Sequence, residues 1–483
     1  MTIRVEERPR VLHWFRADLR LQDNTAFSAA ACRASQLANV FIFDEGLLAS
    51  SRQGAPRIRF LRDCVERLRA ELEARGQTLI VRRGSAVDVL VDLARETGSQ
   101  VVTWNRDPSG YARTRDEIVV QRLAAEGIRS FSFKDRVVFE AADVHPCQNR
   151  PIAVFSPYRK AWWRRFEEQG LPEARSFQLP PPGDRVLPGP MPSEAELGLA
   201  GNPVEIPTGG ERAGYARLQA FLERSGGRYK DERDYPALDA TSRLSPYLRF
   251  GVVSIRDCFR AGRAAIEAEP GSRRGIEKWI DELIWREFFQ AVLDDDPRLT
   301  TRNHRSEFDD FDWEDDPGGF DAWCEGRTGY PFVDAGIREL RATGHMHNRT
   351  RMVVASFLTK DLLIDWRRGE DFFMRWLVDG DPASNSGGWQ WAASSGTDAS
   401  EHVRIFNPIL QGERFDPEGD YIRRWVPELE GLRGSALHRP WEMPLVSARY
   451  PRPIVDHADR RRITLERFAR IGSAGAVATA GGA

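Results

Sequence analysis

The sequence is poor in cysteine: five in 483 residues, at Cys32, Cys64, Cys147, Cys258 and Cys324, with no CxxC pair. An odd and widely scattered set argues against a disulfide framework, and it reads as the reduced thiols of a cytoplasmic protein. No apolar run approaches the roughly 18 residues that a membrane-spanning helix needs. The opening "MTIRVEERPRVLHWF" carries charge where a signal peptide has its apolar core. Neither charge sign is in excess, with 70 Lys and Arg against 72 Asp and Glu. That excludes a general cationic coat for nucleic acid but allows a basic patch on one face. GxGxxG, Walker A, HExxH and GxSxG signatures are all missing. His345 and His347 stand two apart, a spacing that does not share a helix face, so no metal site is expected.

Three stretches of different character follow one another. Apolar runs at 11–15, 39–43, 78–83, 101–105 and 128–133 alternate with helical patterns at 56–76, 85–98 and 112–127. Strand and helix in strict turn predict an α/β domain with a parallel five-stranded sheet over residues 1–140. Nine prolines between Pro172 and Pro207 predict a linker, taken as 141–210. Strand signals then stop. Amphipathic patterns at 213–224, 252–268, 275–293, 332–343, 346–366 and 370–378 predict an all-α domain over 211–471. The small-residue run 472–483 reads as a disordered tail. Tryptophan is the outlying residue type: nine of fourteen lie between Trp279 and Trp425.

Within the helical half, "DGDPASNSGGWQWAASSGTD" (379–398) sets carboxylates, paired glycines and two tryptophans side by side. A flat ligand with a polar edge, held close to the backbone, would use all three. "TSRLS" (241–245) puts three hydroxyls ahead of a helix-like run, which suits either an ordinary helix cap or an anion site. In "WIDELIWREFF" (279–289) Trp285 shares a face with Glu282, and Arg286 falls four residues after it. Arg351 has Asp379 as a candidate partner, and a buried Arg–Asp pair often marks a site.

Taken in order, "WFRADLRLQDN", "TSRLSPYLRFG", "WIDELIWREFF", "GRTGYPFVDAGIREL", "MHNRTRM", "DLLIDWRRGE", "DGDPASNSGGWQWAASSGTD" and "RIFNPILQGERFD" resemble the photolyase–cryptochrome family, most of all its class I cyclobutane pyrimidine dimer photolyases. The resemblance implies a Rossmann-like antenna domain and a helical domain holding one U-shaped FAD, reduced in the active form. It implies a lyase that absorbs blue or near-UV light and donates an electron to a pyrimidine dimer flipped out of UV-damaged DNA. By the same carry-over, Asp379, Asp381 and Arg351 meet the polar edge of the flavin and Asn385 lies by its N5. Tyr229, Thr241, Ser242, Arg243, Leu244 and Ser245 contact the phosphates and ribityl chain, and Trp279, Arg286, Asn348 and Gly380 complete the FAD set. Glu282 meets the lesion edge, Trp285 and Trp391 wall it, and Met352 flanks it. Arg233, Arg349 and Arg404, with Gln411 nearby, hold DNA, joined on that side by Glu282, Trp285, Arg286 and Asn348. Trp389, Trp366 and Trp313 match the electron-transfer chain from flavin to surface, whereas Trp376 and Trp323 read as packing. A monomer with no membrane and no obligate protein partner is expected.

Two rivals stay open. A signalling cryptochrome is disfavoured by Asn385 and the brief tail, and a (6-4) photolyase by "MHNRTRM". His345 stands where the family usually has tryptophan. Ser109 in "NRDPSGYARTRD" replaces the glutamate of folate-binding relatives, while "FIFDEGLL" (41–48) looks like the deazaflavin-type branch. The antenna is therefore 8-hydroxy-5-deazaflavin, 5,10-methenyltetrahydrofolate, FMN or none.

Overall fold

The structure, a computed structural model, describes all residues except 1–7, 145–151, 175, 184–185, 200–203, 398–402, 444–448 and 481–483, and gives the backbone alone for 472–480. Cys147 therefore lies outside the described residues.

The N-terminal region is the expected five-stranded parallel sheet. Strands β1 (Arg10–Phe15), β2 (Gln36–Asp44), β3 (Leu79–Gly84), β4 (Val101–Asn105) and β5 (Arg129–Phe133) lie in the order β3-β2-β1-β4-β5. Helices α1 (Thr25–Arg33), α2 (Ala55–Glu73), α3 (Ala86–Glu96) and α4 (Gly110–Ala125) cover both faces. That is why the inner strands read as continuous apolar runs rather than alternating ones: every residue of β4 is buried. The strand order reverses between β1 and β4, and ligands of such sheets gather beyond the carboxyl ends of the strands at that point.

The segment 141–210 is more than a linker. It contains helix α5 (Phe155–Gln169), which buries Tyr158, Trp162 and Phe166. The Trp162 indole donates to Glu287, a fully buried carboxylate that also accepts from the Val138 and Phe139 amides. Proline content identified the extended part of this segment and hid the helix.

The C-terminal half is helical. Its longer elements are α6 (Glu211–Arg224), α7 (Ile255–Ala268), α8 (Arg273–Asp295), α9 (Pro331–Thr343), α10 (Asn348–Ser356), α11 (Trp366–Trp376), α12 (Pro382–Ala393), α13 (Pro408–Phe415) and α14 (His457–Ala480). The pattern read as one helix over 346–366 is broken. α10 gives way to a π turn at Phe357–Asp361, and Leu363 adopts a positive φ of 55° before α11 begins. α14 runs through to Ala480, into the run expected to be disordered.

A buried ion cluster joins the halves. Asp135, following β5, receives Arg20 at 2.8 Å and Arg256 of α7 at 2.9 Å; Arg256 also reaches Asp23 at 2.8 Å. All four side chains are at most 6% exposed, so each charge depends on its partners for stabilisation.

Candidate functional site

A cavity of about 680 Å³ opens among α8, α10, α12 and the turn Ser242–Arg249. α12 is its floor. Asp381 caps this helix by accepting from the Ala383 and Ser384 amides, with Pro382 at the first position. One turn in, Asn385, Gly388 and Trp389 sit three and four residues apart and line the cavity together. The stretch that looked loose in sequence is thus a capped helix. Its glycines have separate tasks. A Cβ at Gly387 would come within 2.2 Å of the Phe289 ring, so this glycine admits α8; a Cβ at Gly388 would meet nothing within 4 Å, so this one keeps the floor clear. Gly380 lines the cavity, but a Cβ there would strike the Arg57 guanidinium at 2.2 Å.

Arg351 and Asp379 pair as expected, at 2.9 Å. Burial pushes the Asp379 carboxyl up, but Arg351, His345 and the Ser245 hydroxyl outweigh it and hold the group below its ordinary value. His345 therefore belongs to the charge environment of this pair, and its Nδ1 lies 3.4 Å from Glu339. Asp381 lines the cavity beside Asp379 but has other partners. It does not pair with Arg351. It receives Arg136 at 3.2 Å, Gln290 at 2.9 Å and Arg249 at 3.7 Å, which makes it a helix cap and a link to the α/β domain.

Tyr229, Ser242, Leu244 and Ser245 line the cavity, as do Trp279, Arg286 and Asn348. Thr241 and Arg243 do not. The Thr241 carbonyl accepts from Arg217, and Arg243, at φ 49°, turns out toward Asp239 at 3.5 Å. The helix expected after "TSRLS" is one turn, Ser245–Arg249, without a side-chain cap. Arg286 gives its guanidinium to the carbonyls of Arg136 and Leu248 and, buried beside Arg136, is held down to about 10. It forms part of the cavity wall.

At the mouth stand Glu282, Trp285, Met352 and Trp391. Phe155 lies parallel to Trp285, and the Arg404 guanidinium is 5.1 Å from the Trp391 ring. Glu282 is bracketed by Arg233 and by Lys278 at 2.9 Å. Arg233 lines the cavity, whereas Arg349 and Gln411 lie outside its lining. Arg349 pairs with Asp234 at 2.9 Å and covers the Phe415 ring at 4.2 Å. Trp389 and Trp366 are buried and Trp313 only partly so, a gradient running outward. The Trp389 indole nitrogen is buried without a partner. Sequence reasoning missed Phe155, hidden in the supposed linker, and Lys278, whose spacing of four from Glu282 was a usable signal.

A second cavity, of about 370 Å³, lies beyond the carboxyl ends of β1, β2 and β4. It brings together the two segments singled out for an antenna: Phe43, Asp44 and Leu47 from one, Ser109 and Tyr111 from the other, with the Tyr111 hydroxyl donating to Asp44 at 2.8 Å.

The residues of the larger cavity suit FAD: flat indole walls, a buried indole donor at Trp389, an Arg–Asp edge and hydroxyls at one end. A doubly wound α/β domain beside a helical domain with such a chamber is the architecture of a two-domain flavin-binding protein. The family model for DNA photolyase matches residues 11–178, and that for the FAD-binding domain of DNA photolyase matches 279–470. A deoxyribodipyrimidine photo-lyase of Halobacterium salinarum is 41% identical over 95% of this chain and 98% of its own. A bacterial class III photolyase of Agrobacterium tumefaciens is 38% identical, covering 97% of this chain and 98% of that one, with a TM-score of 0.86. A Synechocystis cryptochrome is 29% identical, covering 96% and 100%, also with a TM-score of 0.86. The chain belongs to the DNA photolyase family.

Proposed function

We propose that this chain is a light-dependent DNA-repair lyase that splits cyclobutane pyrimidine dimers, with one FAD in the helical cavity. The observation that carries the reading is the mouth of that cavity, where Glu282 stands with Trp285 and Trp391 in front of a floor bearing Asn385 and Trp389. A carboxyl lining the same cavity as two indoles is suited to two linked, extruded pyrimidines with polar edges. Bound and reduced, FAD supplies the light-excited electron donor. The protein supplies position and electrostatics.

In this reading Arg351 and Asp379 hold the polar edge of the ring, and Tyr229, Ser242 and Ser245 hold the chain beyond it. Glu282 meets the polar edge of the lesion, its charge already balanced by Arg233 and Lys278. Trp285 and Trp391 exclude water from the lesion faces, and Met352 closes the flank. Arg233, Arg349 and Arg404 bind the flanking backbone without reading sequence. Trp389, Trp366 and Trp313 carry electrons inward. The second cavity holds the antenna, 8-hydroxy-5-deazaflavin or 5,10-methenyltetrahydrofolate. The protein works as a monomer in the cytoplasm; among the described residues no helix is long and apolar enough to cross a membrane.

The test is illumination of the FAD-loaded protein with an oligonucleotide carrying one thymine dimer. Blue light should restore the intact thymines, and darkness should not. Bound flavin with no repair would instead favour a signalling cryptochrome, the reading suggested by the Synechocystis neighbour; repair of the (6-4) lesion alone would favour that branch.

A further inference from the structure

We propose that Arg52 and Glu370 are positioning residues that lock the Asn385 amide with its oxygen toward the flavin, so that the α/β domain helps set the redox preference of a cofactor bound in the other domain. The inference rests on the reading of the 680 Å³ cavity as the FAD site.

The orientation of the amide follows from its partners. Asn385 Nδ2 donates to the Glu370 backbone carbonyl at 3.0 Å and to Glu370 Oε1 at 2.9 Å. A carbonyl only accepts, so a flipped amide would set two oxygens against each other. Both amide hydrogens are spent on Glu370. The oxygen is the end left for the cavity that Asn385 lines.

Glu370 does this only while it is an acceptor. It is almost fully buried on α11, and burial pushes its carboxyl up; the countercharge is Arg52, whose guanidinium bonds Oε1 directly. Removing Arg52 takes away the charge that opposes burial and shifts the carboxyl toward its protonated form. A protonated carboxyl donates as well as accepts, and its O–H competes for the Asn385 oxygen. The amide then has two orientations instead of one. Arg52 comes from the turn between β2 and α2, 318 positions from Glu370, and it also lines the second cavity. It therefore links the two chambers through Glu370 and Asn385.

An acceptor fixed beside flavin N5 distinguishes the oxidation states of the ring. Reduced flavin carries N–H at N5 and oxidised flavin a bare nitrogen. A locked Asn385 oxygen accepts from the first and repels the second, so it favours the reduced form.

The midpoint potential of bound FAD, measured in the dark on the holoprotein, tests the inference. Arg52→Ala should shift the reduction equilibrium roughly tenfold toward the oxidised form, about 30 mV lower for a two-electron couple. Asn385→Ala should lower it at least as far, and adding Arg52→Ala to that variant should bring no further shift. If the Arg52→Ala shift persists in the Asn385→Ala background, Arg52 acts on the flavin by charge alone and the proposal fails. It also fails if Asn385→Ala moves the potential and Arg52→Ala does not. If Asn385→Ala itself changes nothing, the placement of Asn385 at the flavin falls, and the proposal with it. Should Arg52→Ala fail to retain FAD, Arg52→Met, which keeps the apolar stem, takes its place with the same expected shift.

Discussion

Phe155 lies flat on Trp285, ring centroids 3.7 Å apart and planes within 9°. Phe288 and Phe289 meet the same indole at 5.5 and 5.6 Å, so Trp285 is held on three sides. A wall fixed before its ligand arrives loses little rotamer freedom on binding. Phe155→Ala should weaken binding of a thymine-dimer oligonucleotide roughly three- to tenfold, the worth of one aromatic pair. Fluorescence anisotropy measures this, and the flavin spectrum should not move. Unchanged affinity would show that the stack only packs the two helices.

Glu282 should act on splitting rather than on cofactor retention. A hydrogen bond to a charged group is worth about 1.5–3 kcal/mol, or roughly ten- to hundredfold on the step it assists. Glu282→Ala should lower single-turnover repair by that order with FAD fully bound. Because Arg233 and Lys278 lose their shared partner, DNA affinity in the variant should be kept or raised. A quantum yield equal to the native one would remove Glu282 from the reaction.

Trp366→Phe should abolish light-driven reduction of oxidised FAD while sparing repair by chemically reduced protein. Transient absorption reads the first and the repair assay the second. Persistence of photoreduction would reroute the electrons through Trp323, whose ring centroid lies 6.1 Å from that of Trp389.

Arg349→Ala should weaken lesion-bearing and undamaged DNA alike and reduce the slope of log affinity against log salt by about one. Arg349 is already paired with Asp234, so Asp234→Asn, freeing the guanidinium, should tighten both DNAs. A salt titration of the two variants decides it. Loss of lesion preference alone would contradict a backbone contact.

The Asp361–His457 contact, 2.5 Å, anchors the start of α14. Burial pushes the Asp361 carboxyl up to about 6, with His457 and Arg460 only partly opposing it. Since the folded value exceeds the unfolded one near 4, ionisation costs the folded state: the cost is absent below pH 4, grows from 4 to 6 and is complete above 6. Asp361→Asn should therefore be more stable than the native protein at pH 7, by up to about 3 kcal/mol, and equal to it at pH 4. Thermal melts at the two pH values test this; a variant weaker at pH 7 would reverse the sign.

The sheet was legible because parallel strands covered on both faces show as unbroken apolar runs with helices between them. The FAD cavity was legible through "DGDPASNSGGWQW", where carboxylates, glycines and tryptophans stand side by side, although the helix that carries them was not. Other features were hidden for identifiable reasons. The apolar spacing of 346–366 continues across the break at Leu363, because side chains on both sides of a π turn still face one core. Asp379 and Asp381 look equivalent in sequence, yet two residues of separation send one to Arg351 and the other to Arg136. Arg52 gives no local sign at all, since its partner lies in the other half of the chain.

Asp135 answers to Arg20 on its own side of the molecule and to Arg256 on the other. Removing the α/β domain would strip Arg256 of Asp23 and Asp135, both of its carboxylate partners. The α/β domain is for that reason not an interchangeable part: a foreign one grafted onto these helices would have to bring a carboxylate to the same spot.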